Sequence, residues 1–157
     1  MKGITPFLWF DGKAEEAARF YTSVFKGSKL GAITRYGEAG PGPKGSVMTA
    51  TFEVAGQEFI ALNGEPIFKF TPAISFVVNC ETQQEVDEYW EKLSAGGSTN
   101  QCGWLTDRYG VSWQIVPTAM ERLMSDPDPA KANRVMKAML QMTKLDIAGL
   151  ERAYRQG

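Results

Sequence analysis

Apolar positions along the chain change period several times, and the changes divide it into alternating strand and helix segments. Residues 4–10 are rich in β-branched and aromatic side chains and run into the turn pair Asp11 and Gly12, which predicts a first strand. From residue 13 to 25 the apolar positions Ala14, Ala17, Ala18, Tyr21, Val24 and Phe25 recur at steps of three and four, so a helix with one buried face follows and Gly27 ends it. Residues 30–36 read as a strand, 37–45 as an exposed loop of glycine and proline, and 46–54 with 57–63 as a hairpin turning at Ala55 and Gly56.

The same order then begins again. Residues 73–79 are strongly β-prone, Thr82 is a good N-cap, and Val86, Tyr89, Trp90 and Leu93 form the apolar stripe of a helix ending near Leu93. Residues 101–106 and 111–116 flank the turn Asp107, Arg108, Tyr109 and Gly110, while Ser98, Thr99 and Asn100 mark a further strand only weakly. Pro117 and Thr118 open a helical tail, restarted by the alternating Asp126, Pro127, Asp128 and Pro129. Ala132, Val135, Met136, Met139 and Leu140 give the tail one apolar face, and Ile147, Leu150 and Tyr154 another; we assign this methionine-rich stripe to assembly, packing against its own domain or a sister subunit, rather than to a ligand site. The organisation predicted is a first module over residues 1–64, a second over 65–117 and a helical extension over 118–157.

Composition narrows the function classes. Seventeen basic and eighteen acidic residues give a net charge of -1, with no basic stripe to follow a phosphate backbone, so no nucleic-acid partner is expected. No apolar run approaches the roughly 20 residues that span a bilayer, and the N-terminus lacks a signal-peptide core. The expectation is a cytoplasmic protein without a membrane partner. Cys80 and Cys102 are the only cysteines and suit two reduced thiols better than a disulfide framework or a zinc knuckle. There is no histidine.

Three segments carry a family resemblance. The string Trp9, Phe10, Asp11, Gly12, Lys13, Ala14, Glu15, Glu16, Ala17, followed by Phe20, Tyr21, Val24 and Phe25, resembles the opening of a vicinal oxygen chelate module of the glyoxalase and bleomycin-resistance-like superfamily. Phe68, Lys69 and Phe70 leading into residues 74–80, and Gln101, Cys102, Gly103 and Trp104 leading into residues 107–114, are similar to its PhnB-like branch, historically named the 3-demethylubiquinone-9 3-methyltransferase domain. The resemblance implies an α+β fold of two βαβββ modules forming a cupped eight-stranded mixed sheet, a homodimer, and a cavity between curved strands.

Metal-using relatives place four ligands on inward-facing strand positions, and the resemblance puts these at Pro6, Ala61, Ala73 and Gln114. Only Gln114 has a polar head, and one neutral amide does not replace the nitrogen and carboxylate ligands that a transition metal takes. No metal and no cofactor are therefore expected. Strand alternation adds Leu8, Phe59, Asn63, Ser75, Val77, Ser112 and Val116 to the cavity-facing set. A mostly apolar cup with a few amides and hydroxyls suits a small molecule and suits a filled core equally.

Cys102, beside Gly103 and Trp104, is the candidate nucleophile, with Gln114 as a polarising group. Without histidine, a thiolate at Cys102 requires a cation such as Lys69, Arg108 or Arg35; Cys80 is the weaker candidate. Asp11 and Asp107 sit in turn signatures where carboxylates bond their own backbone, and residues 65–70 form a possible lip over the cavity. The glycines of residues 40–45 precede a strand rather than a helix and lie among prolines, so an S-adenosylmethionine cradle is not expected. Three readings stand: a metal-independent small-molecule-binding protein using Leu8, Phe59, Ala61, Asn63, Ser75, Cys102, Trp104, Ser112 and Gln114; an enzyme of the same fold polarising its substrate through Gln114, Asn63 and Cys102; and a structural dimer with a filled cavity.

Overall fold

The computed structural model describes residues 1–156; Gly157, the end of the predicted extension, lies outside the described residues. Two compact units emerge, Met1–Lys69 and a second from Phe70 onward. The first contains β1 (Phe7–Phe10), α1 (Ala14–Val24), β2 (Lys29–Arg35), β3 (Val47–Val54) and β4 (Gln57–Asn63). The second contains β5 (Phe76–Cys80), α2 (Gln83–Ser94), β6 (Ser98–Thr99), β7 (Trp104–Thr106) and β8 (Ser112–Pro117), followed by α3 (Thr118–Met124), α4 (Pro129–Leu140) and α5 (Ile147–Arg155). Each unit is a βαβββ module.

The strands are hydrogen-bonded as two four-stranded mixed sheets, ordered β1-β4-β3-β2 and β5-β8-β7-β6. In each, the first strand runs parallel to the last and the rest are antiparallel. A parallel pair needs a crossover, which α1 and α2 supply. The repeat is thus one topology used twice.

In the first unit the core is the layer between α1 and its sheet. Tyr21 of α1 stacks on Phe52 at 5.7 Å, and Phe52 stacks on Phe59 at 5.3 Å. Phe52 and Phe59 are register partners, as are Ala50 with Ala61 and Leu8 with Ala61, so all five lie on the face that α1 covers. Asn63 fastens the helix at its start. Lys13 at the N-cap makes no side-chain cap, and the Asn63 amide oxygen accepts from the Ala14 N–H instead, at 2.8 Å.

The loop expected over residues 37–45 is tightly folded. It closes around the buried Tyr36, with the Gly45 N–H donating to the Tyr36 carbonyl at 2.8 Å and the Tyr36 hydroxyl donating to the Asn63 carbonyl. A Cβ at Gly40 would come within 2.6 Å of the Tyr36 ring, and one at Gly42 would overlap it. Glycine is required here by close approach.

The second unit differs at its edges. Its first strand begins at Phe76 rather than at Ala73, because residues 71–74 turn, with the Ala73 N–H donating to Thr71 Oγ1 at 3.3 Å. Thr82 caps α2 by accepting from the Glu85 N–H. The tail's apolar faces are used within the unit: Val135 and Leu150 are fully buried with Met120, Leu123 and Leu145, and Met139 and Tyr154 pack against them. Of the two packing partners expected for this stripe, its own domain is the one seen, since three short helices bury their apolar stripes against one another; Leu140 alone among the large members stays 52% exposed. Among the described residues no helix is long and apolar enough to cross a membrane.

Replacing Phe52 by Ala should cost about 3–5 kcal/mol in urea unfolding, because the middle ring of the stack is lost from a layer with no slack. A loss below about 1 kcal/mol would remove the stack from the account of the first core.

Candidate functional site

A sheet covered on one face by a helix leaves its other face out of that helix's reach. In the second unit the helix side takes Phe76, Leu105, Trp113 and Ile115, with the Phe76 and Trp113 rings 5.5 Å apart. The face opposite α2 therefore carries Ser75 and Val77, Trp104 and Thr106, and Ser112, Gln114 and Val116, and at Val116 the helical tail packs against it. Gln114 donates from Nε2 to Ser75 Oγ at 2.9 Å, joining two of the expected residues across neighbouring chain segments.

Beside this pair lies a cavity of about 280 Å³, lined by Pro72, Asn100, Gln101, Cys102, Trp104, Leu105, Thr106 and Ser112. Three residues named from sequence, Cys102, Trp104 and Ser112, meet in it. None of its lining residues is charged. Cys102 is half-buried and holds a left-handed backbone, φ 60°, unusual for a residue with a Cβ. Gly103 follows at φ 83°, where an added Cβ would lie 2.9 Å from the Ile115 carbonyl oxygen and 3.0 Å from the Leu145 side chain. Residues 101–103, expected as strand, form this turn because their amides bond elsewhere.

The cations considered for Cys102 have other partners or line no part of the cavity. Arg108 donates to the Ala95 carbonyl at 3.2 Å, and Arg35, in the first unit, to the Gly45 carbonyl at 3.2 Å. Lys69 is exposed at the end of the first unit. Asp107 is structural: one carboxylate oxygen accepts from the Tyr109 and Val111 amides at 2.8 and 3.1 Å, and the other from Trp113 Nε1 at 2.8 Å.

In the first unit the expected cavity face is the wrong parity. Leu8, Phe59 and Ala61 are 6%, 4% and 0% exposed, packed on the α1 side, and Pro6 precedes β1 with its carbonyl taken by the Ile60 N–H. The helix-free face is instead Phe7, Trp9, Ile60 and Leu62 with Thr49 and Thr51. Both parities of β1 and of residues 59–62 are apolar, so alternation gave no signal there. Of residues 65–70, expected as a lip, Phe68 meets the Trp9 ring edge-on at 5.1 Å and the Glu65 carbonyl accepts from Trp9 Nε1 at 2.7 Å, both within the first unit.

Asn63 is committed to structure. Besides capping α1 it donates from Nδ2 to the Val47 carbonyl at 3.1 Å, so neither end of its amide is idle. It borders a larger hollow of about 530 Å³ beneath the residue 37–45 loop, whose lining includes Tyr36, Pro41, Pro43 and the carboxylates Asp11, Glu15 and Glu65. Glu15 is paired with Arg19 at 2.9 Å. None of Cys102, Trp104, Ser112 and Gln114 borders this hollow.

Of the four positions equivalent to metal ligands, Gln114 alone carries a side-chain donor atom, and each position has a local role. Ala61 faces α1, Ala73 sits in the turn before β5, and Gln114 bonds Ser75. Among the described residues no three His, Cys, Asp or Glu side chains come together in a way that fits a metal ion. The donor set does not fit the superfamily's ion.

Two repeated βαβββ modules, each a four-stranded mixed sheet with its crossover helix on one face, define the class of this α+β protein. Residues 2–116 match the 3-demethylubiquinone-9 3-methyltransferase family, and the chain belongs to it. The PhnB protein of Bacillus cereus is 45% identical, with 74% of this chain covering 100% of that one at a TM-score of 0.68. Protein PA1353 of Pseudomonas aeruginosa is 25% identical over 74% of this chain and 98% of its own, with a TM-score of 0.62. The fosfomycin resistance protein FosX of Listeria monocytogenes shares the fold at 18% identity, a TM-score of 0.57, and coverage of 78% and 98%. No curated protein matches the chain.

The two thiols should behave differently. Cys80 is fully buried, and burial, then the charge of Glu85, push it from the ordinary 9.0 up to about 11. The unfolded chain then loses this proton first, so the stability tied to the neutral thiol is full below pH 9.0 and is lost as pH rises through about 11. Unfolding curves of the wild type and Cys80→Ala should therefore converge or cross in that window. A stability difference independent of pH there would rule out the burial effect.

Proposed function

We propose that this protein binds a small planar, largely apolar or aromatic molecule on the face of its second module opposite α2, without the superfamily metal. The observation that carries the reading is the uncharged cavity of about 280 Å³ in which Cys102, Trp104 and Ser112 meet, adjoining the Gln114–Ser75 hydrogen bond. Its volume suits a single substituted ring, at the small end of the roughly 300–1,000 Å³ of ligand pockets. Trp104 offers an aromatic wall, and Ser112 and Gln101 offer polar groups for orientation.

Binding is favoured over turnover because no lining residue supplies a base or a cation to activate Cys102. Gln114 could still polarise a carbonyl by hydrogen bonding, which keeps the enzymatic reading as the second one. Methyl transfer has no support in the residue 37–45 loop, which wraps Tyr36 and runs into β3 rather than into a helix. A homodimer is part of the proposal: Phe7 and Val77, on the edge strands β1 and β5, are 58% and 47% exposed, the kind of apolar edge that a partner covers.

Native mass spectrometry of protein purified without chelator or added metal should give a metal-free dimer retaining an organic mass. Stoichiometric metal would overturn the reading, and a bare monomer would remove both the dimer and the retained ligand. With indole as probe, Trp104→Ala should weaken binding by roughly five- to tenfold, equal to about 1–1.4 kcal/mol. An unchanged affinity would place the probe elsewhere.

A further inference from the structure

The wall of the second-unit cavity is made by residues that the tail holds in place. The Cys102 N–H donates to the Met142 carbonyl at 2.8 Å and the Gly103 N–H to the Thr143 carbonyl at 2.7 Å, so both amides of the left-handed turn are satisfied by the segment between α4 and α5. The Gly103 carbonyl in turn accepts from the Ile115 N–H at 2.8 Å, tying the same turn to β8. A non-glycine residue in a left-handed conformation persists only where its surroundings over-determine it. Here the surroundings are forty residues away in sequence.

That segment is itself fastened at one point. Gln83, the first residue of α2, donates from Nε2 to the Leu145 carbonyl at 3.1 Å and accepts at Oε1 from the Ile147 N–H at 2.8 Å. Both bonds are to main chain on either side of Asp146, so a single amide grips the segment from two directions. Lys144 adds an ion pair to Asp87 at 2.9 Å, and Leu145, 1% exposed, fills the space above Gly103.

We propose that the segment joining α4 and α5 is a latch that sets the Cys102 wall of the cavity, and that Gln83 is the positioning residue that fastens it. The inference rests on the binding reading above for its consequence, since an occupied cavity and a closed latch then stabilise each other. The structural part needs no ligand. Opening the latch frees the Cys102 and Gly103 amides, lets Cys102 leave its left-handed conformation and changes the cavity that Trp104 and Ser112 share. A ligand that packs on Cys102 accordingly favours the docked tail, and loss of docking weakens the ligand by the same factor.

The test is amide hydrogen exchange on the full chain, comparing wild type, Gln83→Ala and the milder Lys144→Ala, whose exposed side chain can be removed without touching the core. Exchange at Cys102 and Gly103 should rise at least tenfold in Gln83→Ala and a few-fold in Lys144→Ala, while Phe52 and Leu93 keep wild-type protection. Indole affinity should fall in the same order. Unchanged exchange at Cys102 and Gly103 in Gln83→Ala would overturn the latch, and so would a uniform rise across all four amides in both variants, which marks simple destabilisation. A wild type that binds no indole, together with the selective rise in exchange in Gln83→Ala, would sink the binding reading and leave the latch standing.

Discussion

A four-stranded sheet that receives one helix has to divide its side chains into a set the helix buries and a set it cannot reach, and this division governs what each module can become. In the first unit α1 takes Leu8, Ala50, Phe52, Phe59 and Ala61, with Tyr21 stacked over them. In the second α2 covers the side that holds Phe76, Leu105, Trp113 and Ile115. Residues of opposite parity then define whatever surface is left for chemistry. A shift of one residue in either register would exchange core for site throughout that sheet, so the helix contact, and not any polar group, is what fixes the identity of the candidate site.

That dependence explains which parts of the molecule were legible from sequence. The element order, the repeat, the Thr82 cap, the helix restart at residues 126–129 and the hairpin at Ala55 and Gly56 each have a local chemical cause, and each is present in the structure. The side of β8 turned away from α2 was legible because this strand alternates: Ser112 and Gln114 take turns with Trp113 and Ile115. The first module offered no such contrast. Phe59, Ile60, Ala61 and Leu62 are all apolar, and the parity inferred by likeness to metal-binding relatives placed helix-side residues in the cavity. Positions equivalent to lost ligands no longer carry the polarity that would reveal which way they point.

The chemistry open to the site is limited by what surrounds it. Its lining carries amides, hydroxyls, a thiol and an indole, and no carboxylate, ammonium or guanidinium group. Such groups orient a molecule by donating and accepting hydrogen bonds, and Gln114 is already partly spent on Ser75. The hollow of the first unit, by contrast, sets the carboxylates Asp11, Glu15 and Glu65 beside an apolar wall of Tyr36, Pro41, Pro43 and Val47, and there Asn63 and Tyr36 are engaged in holding α1 and the loop. The two hollows therefore differ in charge: carboxylates line the one in the first unit, and no charged residue lines the one in the second.

The tail follows from a deficit in the second module. Its strands β6 and β7 are two and three residues long, where β2 and β3 of the first module are seven and eight. Shortening a ladder strands backbone donors that must be paired elsewhere or solvated. Cys102 and Gly103 lie where a longer β7 would run, and their N–H groups find carbonyls at residues 142 and 143 instead. The helices α3, α4 and α5 bring those carbonyls into place and add a small core of their own around Val135 and Leu150. The same shortening that opens a cavity beside Trp104 therefore makes the module depend on its C-terminal helices, so that access to the site and attachment of the tail are two consequences of one missing stretch of strand.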